Sequence, residues 1–251
     1  MNDNPLILSL ETATLGGSVF LGRGNRELAS RAGHADVSHS NSLLSDINES
    51  LKTASISLPE IELFACASGP GSFTGLRIGI ATLKALSATL NRPCLGIPTL
   101  HAVAHAAGPS SRTVALLPAG RGEVFAQMFS VSVADEVVAL DEAAHLLPQR
   151  LLEKYGGHKR LHLAGTGAYV QREFLQKYAE SHGIAFNEDG AIVDPVLKRT
   201  GWYLAPSQRH LARNVAALAV RSFQKGDVQS PRDLHAIYVR PSDAELKEQC
   251  R

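Results

Sequence analysis

Short apolar runs open the chain, and longer periodic stretches follow them. Leu6–Leu10 and Ser18–Leu21 read as strands joined by the turn Thr14-Leu15-Gly16-Gly17. Glu27–Arg31 adds a third strand after Gly22-Arg23-Gly24-Asn25, so two tight connections predict an antiparallel meander. Leu43, Leu44, Ile47 and Leu51 then share one stripe, with Ser45, Asp46, Glu49 and Lys52 largely opposite. That pattern is a helix, which Ser38 or Ser40 can cap. Pro59 falls in the next loop, and Ile61–Ala67 is an apolar run of strand length. Leu76–Leu90 is a second helix, and its Leu76, Ile78, Ile80, Leu83, Leu86 and Leu90 leave little polar circumference. Such a helix is buried on more than one side. Gly75, Gly79, Ala81, Ala85 and Ala88 on it are small. An interior glycine costs about 1 kcal/mol against alanine, which close approach of another backbone would offset.

Pro93–Ile97 gives a short strand and Leu100–Ala107 a short helix. Gly108-Pro109-Ser110-Ser111 is the best candidate boundary, and the order of elements repeats beyond it. Thr113–Leu117 and Val124–Val133 are strands around a Gly-Arg-Gly turn; Asp141–Tyr155 is mostly helical, bent or broken at Pro148. Leu161–Ala164 is a strand, Val170–His182 a helix and Ala191–Val193 a last strand. Gln208–Gln224 is a helix with Ser207 as its cap and Gly226 as its stop. Strands followed by alternating helices and strands occur twice. The expectation is two related α/β halves, 1–108 and 109–251, with the last helix packing back on the first.

The 251 residues can bury a full core, and a formal net charge of +1 gives no general pull toward nucleic acid. The stretch from Lys198 onward is richer in Lys and Arg than in acids, but aromatics are not interleaved with its charges as in single-strand binders, so it reads as a solvated face. Cys66, Cys94 and Cys250 form no C-x-x-C pair, an odd and sparse set that suits a reducing cytosol. The N-terminus has no basic segment and Glu11 interrupts its apolar run, which argues against a signal peptide. No apolar stretch approaches the ~18 residues of a membrane span. A cytoplasmic protein is expected.

The candidate chemistry centres on Ser68-Gly69-Pro70-Gly71-Ser72-Phe73-Thr74-Gly75-Leu76-Arg77, a glycine-rich turn between a strand and a helix. Backbone N–H groups at such a place can face an anion. The spelling is neither a phosphate-cradling P-loop nor a clean G-x-G-x-x-G, and Pro70 removes one donor. The residues alone leave a tight turn and a ligand loop equally open. Other candidates are weak. His101 and His105 have zincin spacing, but Ala102 stands where the glutamate belongs, so they read as a surface or half-buried pair. Ser72 lacks assignable His and Asp partners and reads as a helix cap. Cys66 lies in an apolar strand as an inert thiol, and Glu123 reads as a surface residue.

The turn and the residues after it, through Ile78-Gly79, closely resemble the signature of the TsaB (YeaZ) family. These are bacterial partner proteins in making threonylcarbamoyladenosine beside the tRNA anticodon. Leu6–Thr14, His39-Ser40, Gly96–Leu100 and Arg121–Phe125 also match; the likeness is strong in the first half and loose in the second. The resemblance implies the actin-like (ASKHA) α/β fold of sugar kinases and heat-shock ATPases, two related halves with mixed sheets. It implies a non-catalytic subunit that dimerises with TsaD and joins a nucleotide-dependent cycle with TsaE, while TsaC supplies the threonylcarbamoyl-adenylate. No cofactor is expected to be tightly bound; ATP or ADP stays open for the complex, and a homodimer for the isolated chain.

Two departures support the non-catalytic expectation. Glu11-Thr12-Ala13-Thr14 sits where actin-like ATPases place an Asp and hydroxyls around Mg-nucleotide, and the longer glutamate misplaces the carboxylate. Glu11, Thr12 and Thr14 are therefore a degenerate nucleotide site. Pro118 stands where many members have an Asp. His34 and His39 are five apart with Asp36 misplaced between them, unlike the metal-binding pair of TsaD, so no metal is assigned. Partner contact is expected on the two N-terminal helices, at His39, Leu43, Leu44, Ile47, Leu51, Gly75, Ile78, Gly79 and Leu83, with Leu44 and Ile47 nearer the partner than the core. The alternative is an active actin-fold kinase, ATPase or peptidase-like enzyme.

Overall fold

A computed structural model describes residues 3–33, 39–188, 200–208 and 210–239. The expected strand at Ala191–Val193, with His34, Asp36 and Ser38, lies outside the described residues, as do the side chains of His39 and Ser40. The chain divides into two compact units. The first comprises Met1–Ala102 with Arg209–Tyr238, and the second centres on Val103–Gln208. The boundary thus falls six residues before the expected 108/109 division, and the first unit takes back a late segment of chain.

The sheet of the first unit runs in the order β3-β2-β1-β4-β5. Its strands are β1 (Leu6–Glu11), β2 (Ser18–Arg23), β3 (Arg26–Ala32), β4 (Leu63–Gly69) and β5 (Cys94–Pro98). The first three make the antiparallel meander; β4 and β5 add in parallel. The crossovers carry α1 (His39–Ala54) and α2 (Phe73–Leu90), and α3 (Thr99–Ala106) follows β5. Every residue of β1 is buried, as a central strand covered on both faces requires. Leu6, Leu8 and Leu10 alternate onto one face and cluster with Leu43, Ile47, Ile80 and Leu83 from α1 and α2.

The second unit repeats this order with additions. Its strands are β6 (Ser110–Gly120), β7 (Glu123–Val131), β8 (Val137–Ala139), β9 (Ala144–Leu146), β10 (Arg160–Ala164), β11 (Phe186–Asn187) and β12 (Gly201–Leu204). The sheet reads β11-β12-β10-β6-β7-β8, with β9 also on β7. β6, β7 and their short partners are antiparallel, and β10 and β12 add in parallel. Helices α4 (Pro148–Tyr155), α5 (Thr166–Val170) and α6 (Arg172–Ser181) link them. Leu151, Tyr155 and Leu175 pack with Leu161, Leu163 and Trp202 in the core.

Two expected helices are corrected. Asp141–Tyr155 is helical only from Pro148, which occupies the first turn, where a missing N–H costs nothing. Upstream, the Asp141 carboxylate accepts from the Met128 N–H at 2.7 Å and the Tyr155 hydroxyl at 2.8 Å, and Ala144–Leu146 pairs with β7 instead. The helix expected over Val170–His182 breaks at Gln171, whose side chain donates to the Gly122 carbonyl at 2.7 Å.

The last helix, α7 (Leu211–Gln224), lies against β1, β2 and β4 of the first unit. The Ser9 hydroxyl donates to the Ala212 carbonyl at 2.6 Å, and the Ala212 N–H donates to the Ser18 hydroxyl at 2.9 Å. A helix leaves its first N–H groups without internal partners. Here a β2 serine satisfies one of them, rather than the expected local cap Ser207. Beyond Gly226 the chain runs as a strap along the same unit. Gln229 and Cys94 exchange backbone hydrogen bonds, Leu234 is buried in the core cluster, and the Ile237 N–H donates to the Ser68 carbonyl at 2.7 Å. No described helix is long and apolar enough to cross a membrane.

Candidate functional site

Four segments of the first unit meet at the glycine-rich turn. Ser72 caps α2, its hydroxyl accepting from the Gly75 N–H at 3.2 Å. The Ser72 N–H donates to the Ala13 carbonyl at 2.8 Å, tying the turn to the end of β1. The Gly69 N–H donates to the Thr99 hydroxyl at 3.1 Å, tying it to α3. The strap closes the last side through Ile237 and Ser68. Gly69 has φ +116°, and a Cβ there would run into the Ile237 carbonyl, so glycine is required on both counts. The Gly69–Pro70 peptide is cis. Three backbone N–H groups that an anion would use are thus taken by Ala13, Thr99 and Ser72. The geometry favours the tight turn over the ligand loop.

The residues expected to form a degenerate nucleotide site are largely covered as well. Glu11 and Thr12 are 1% and 2% exposed. The Glu11 carboxylate accepts from the Thr14 N–H at 2.8 Å and from the Thr14 hydroxyl at 2.7 Å, which folds it onto its own turn. The Thr12 hydroxyl lies against Gly79 of α2, where a Cβ would collide with it. The close approach that Gly79 allows is therefore to a side chain of the unit's own segment just after β1, rather than to another backbone. Pro118 lies in β6, exposed and paired with Val124.

The expected partner residues separate. Leu43, Ile47 and Leu83 belong to the core cluster, and Gly75 and Gly79 are buried. Leu51 and Ile78 are half-buried against that core. Among the described side chains of this set Leu44 alone is largely exposed, at 65%. The placement of Ile47 outward with Leu44 is corrected: three positions apart on the same helix, Ile47 sits in the core cluster and Leu44 faces solvent. His39 begins α1, with its side chain outside the described residues. The exposed residues of α2 are Phe73, Thr74, Arg77, Ala81, Ala85, Ala88 and Thr89.

At the entrance to α2 the Arg77 guanidinium lies over the Phe73 ring at 3.9 Å, and the Tyr238 ring sits 5.4 Å from Phe73, tilted by 40°. Thr99 falls in the stretch Gly96–Leu100 already singled out, but no local pattern marks Tyr238 or Ile237, which reach the turn from a distant segment. Glu123, expected at the surface, is half-buried with His145 Nε2 2.7 Å from its carboxylate. His101 is half-buried, and desolvation lowers its pKa; burial raises that of Cys66. Among the described residues no three His, Cys, Asp or Glu stand close enough to hold a metal.

A family model described as "TsaD: tRNA N6-adenosine threonylcarbamoyltransferase" matches residues 33–239. The tRNA threonylcarbamoyladenosine biosynthesis protein TsaB of Escherichia coli K12 is 35% identical over 125 residues, which is 47% of this chain and 52% of that protein. The TsaB protein of Haemophilus influenzae is 33% identical over 142 residues, 53% of this chain and 56% of its own. The match thus spans about half the length of these curated relatives. YeaZ from Pseudomonas aeruginosa has the same fold, with a TM-score of 0.71 at 24% identity over 93% of this chain and 99% of that one. The mixed sheets and this likeness make the fold actin-like α/β.

Proposed function

The chain belongs to the family whose model is described as TsaD, tRNA N6-adenosine threonylcarbamoyltransferase, and from that premise we propose that it is a TsaB (YeaZ) protein, a non-catalytic subunit of the machinery that makes threonylcarbamoyladenosine on tRNA. It pairs with TsaD and supports transfer of the threonylcarbamoyl group to the adenosine beside the anticodon. TsaE, with ATP or ADP, enters in the assembled complex. The observation that carries the non-catalytic reading is the state of Glu11. Its carboxylate is buried and already accepts two hydrogen bonds from Thr14, so it is poorly placed to hold Mg-nucleotide. The partner surface that suits the reading is Leu44 on α1 together with exposed Ala81, Ala85 and Ala88 on α2, whose small side chains let another helix approach closely.

The test is reconstitution from purified proteins. The chain alone should neither turn over ATP nor modify tRNA. Added to the TsaD protein of its own source, it should co-elute on a sizing column and be needed for full modification. Steady ATP turnover by the pure chain that disappears in Glu11→Ala would reverse the assignment to an active enzyme.

A further inference from the structure

The second unit has a cleft of its own, away from the glycine-rich turn. Strand β10 sends Leu161 and Leu163 into the core and so places Arg160 and His162 on its other face. Tyr203 of β12 stands in register with His162, and Gly201, opposite Arg160, adds no side chain. Pro109 and Ser110, at the start of β6, complete the lining of an open cleft with about 270 Å³ of empty space. We propose that Arg160, His162, Tyr203 and Ser110 hold a phosphate group in this cleft. The site lies within the second unit and does not depend on the chain's place in tRNA modification.

Three observations point to an oxyanion. The first is unmet donors. Arg160, His162 and Tyr203 are half-buried, and none of their side chains has a hydrogen-bond or ion-pair partner among the described residues. The same cross-strand row runs on to Thr113 of β6, whose hydroxyl is fully buried and has no partner either. A donor left unmet away from water costs free energy, which a ligand that accepts from it recovers. The second is sign. No carboxylate lines the cleft. The guanidinium offers a fork of protons, and the neutral imidazole, the phenol and the serine hydroxyl each have one to give. The Ser110 hydroxyl already accepts from the Arg112 N–H at 3.2 Å, which leaves its proton free to donate. Burial first and the Arg160 charge second disfavour protonation of His162, and Arg160 is the one charge among the described residues that acts on it. An anion between the two relieves that repulsion. The third is shape. Donors from β6, β10 and β12 surround the cleft, which suits the three terminal oxygens of a phosphate better than the single plane of a carboxylate. The cleft is open, so the head group enters and the rest of a phosphorylated molecule stays in solvent.

The experiment follows the histidine ring signals of the full chain by NMR while inorganic phosphate, acetate or AMP is added at fixed pH and ionic strength. The His162 signal, assigned by its loss in His162→Gln, should move saturably with phosphate and stay still with acetate, and the other histidines should not follow it. Saturating phosphate should also raise the pH at which His162 titrates, because a neighbouring anion favours the imidazolium. Arg160→Gln should weaken phosphate binding about ten-fold or more, since it removes a charged hydrogen-bond donor. Tyr203→Phe should weaken it several-fold, with an unchanged melting temperature. Equal affinity for AMP and phosphate means that only the phosphate is read, and tighter AMP makes a nucleotide its source; the site stands in both cases. No saturable movement of His162, acetate as effective as phosphate, or a shift shared by all the histidines overturns it. So does wild-type affinity in Arg160→Gln, or in Tyr203→Phe where the arginine variant fails to fold.

Discussion

At Gly79 the cost of a glycine inside a helix has a visible cause, because the space a Cβ would need is filled by the hydroxyl of Thr12, just after β1. Gly79→Val should therefore destabilise the first unit by about 1–3 kcal/mol, as overpacking does. Ala81→Val, two positions on and exposed, should change the melting temperature little. Equal melting of both variants would show that α2 shifts freely away from β1. In the second unit, burial first and the Arg160 charge second push His162 down to about 4, from an ordinary 6.5. The unfolded chain takes up a proton at His162 from about pH 6.5 downward, and the folded chain does not until about pH 4. Stability is therefore complete above pH 6.5 and falls as pH drops toward 4, by up to about 3 kcal/mol. His101 shifts the same way, so the His162 share is the difference from His162→Gln, measured by denaturant unfolding at each pH. Parallel curves for the two proteins would mean that His162 protonates as readily folded as unfolded.

Among the elements, α1 gives the sharpest division. Leu44→Glu places a charge where the side chain is 65% exposed and should leave folding within about 0.5 kcal/mol of wild type while weakening association with TsaD. Ile47→Glu puts one among Leu8, Leu10 and Leu43 and should cost on the order of 3 kcal/mol. Melting curves and sizing of the mixture check both, and a Leu44→Glu chain that pairs normally would move the partner surface off α1. Hydrophobic periodicity identified α1 and α2 as helices, but it could not rank Leu44 and Ile47, which lie on one stripe and differ only in what covers them. Likewise the meander and β4 were legible because their apolar runs are long and bounded by turns. β8, β11 and β12 were not, since strands of three, two and four residues carry little periodicity and exist through their partners. The glycine-rich turn was legible as a turn and Thr99 fell in a stretch already singled out, while the clamp at Ile237 comes from remote chain and leaves no local mark.

Across the whole molecule the two sheets share one order, a meander followed by parallel additions, which is the form of duplication that element order alone had suggested. The units differ in how they are completed. The first lacks α7 and the strap until residues 210–238 return to it, and Trp202, the one tryptophan, reports on the second. A chain ended at Gln208 should keep a buried-tryptophan emission that melts cooperatively while losing helical and sheet signal from the first unit. Loss of both signals together would mean that the units fold only as one. The same return has a consequence on the ribosome. Pro98 leaves the exit tunnel on the order of ten seconds before Leu211, at about 5–20 residues per second. During that wait the nascent first sheet stands with Ser9 and Ser18 uncovered, while the strands of the second unit are already emerging. Translation speed through the middle of the message then sets how long the unfinished first unit is offered to chaperones and proteases, so slow codons there should lower yield without changing a single residue of the product.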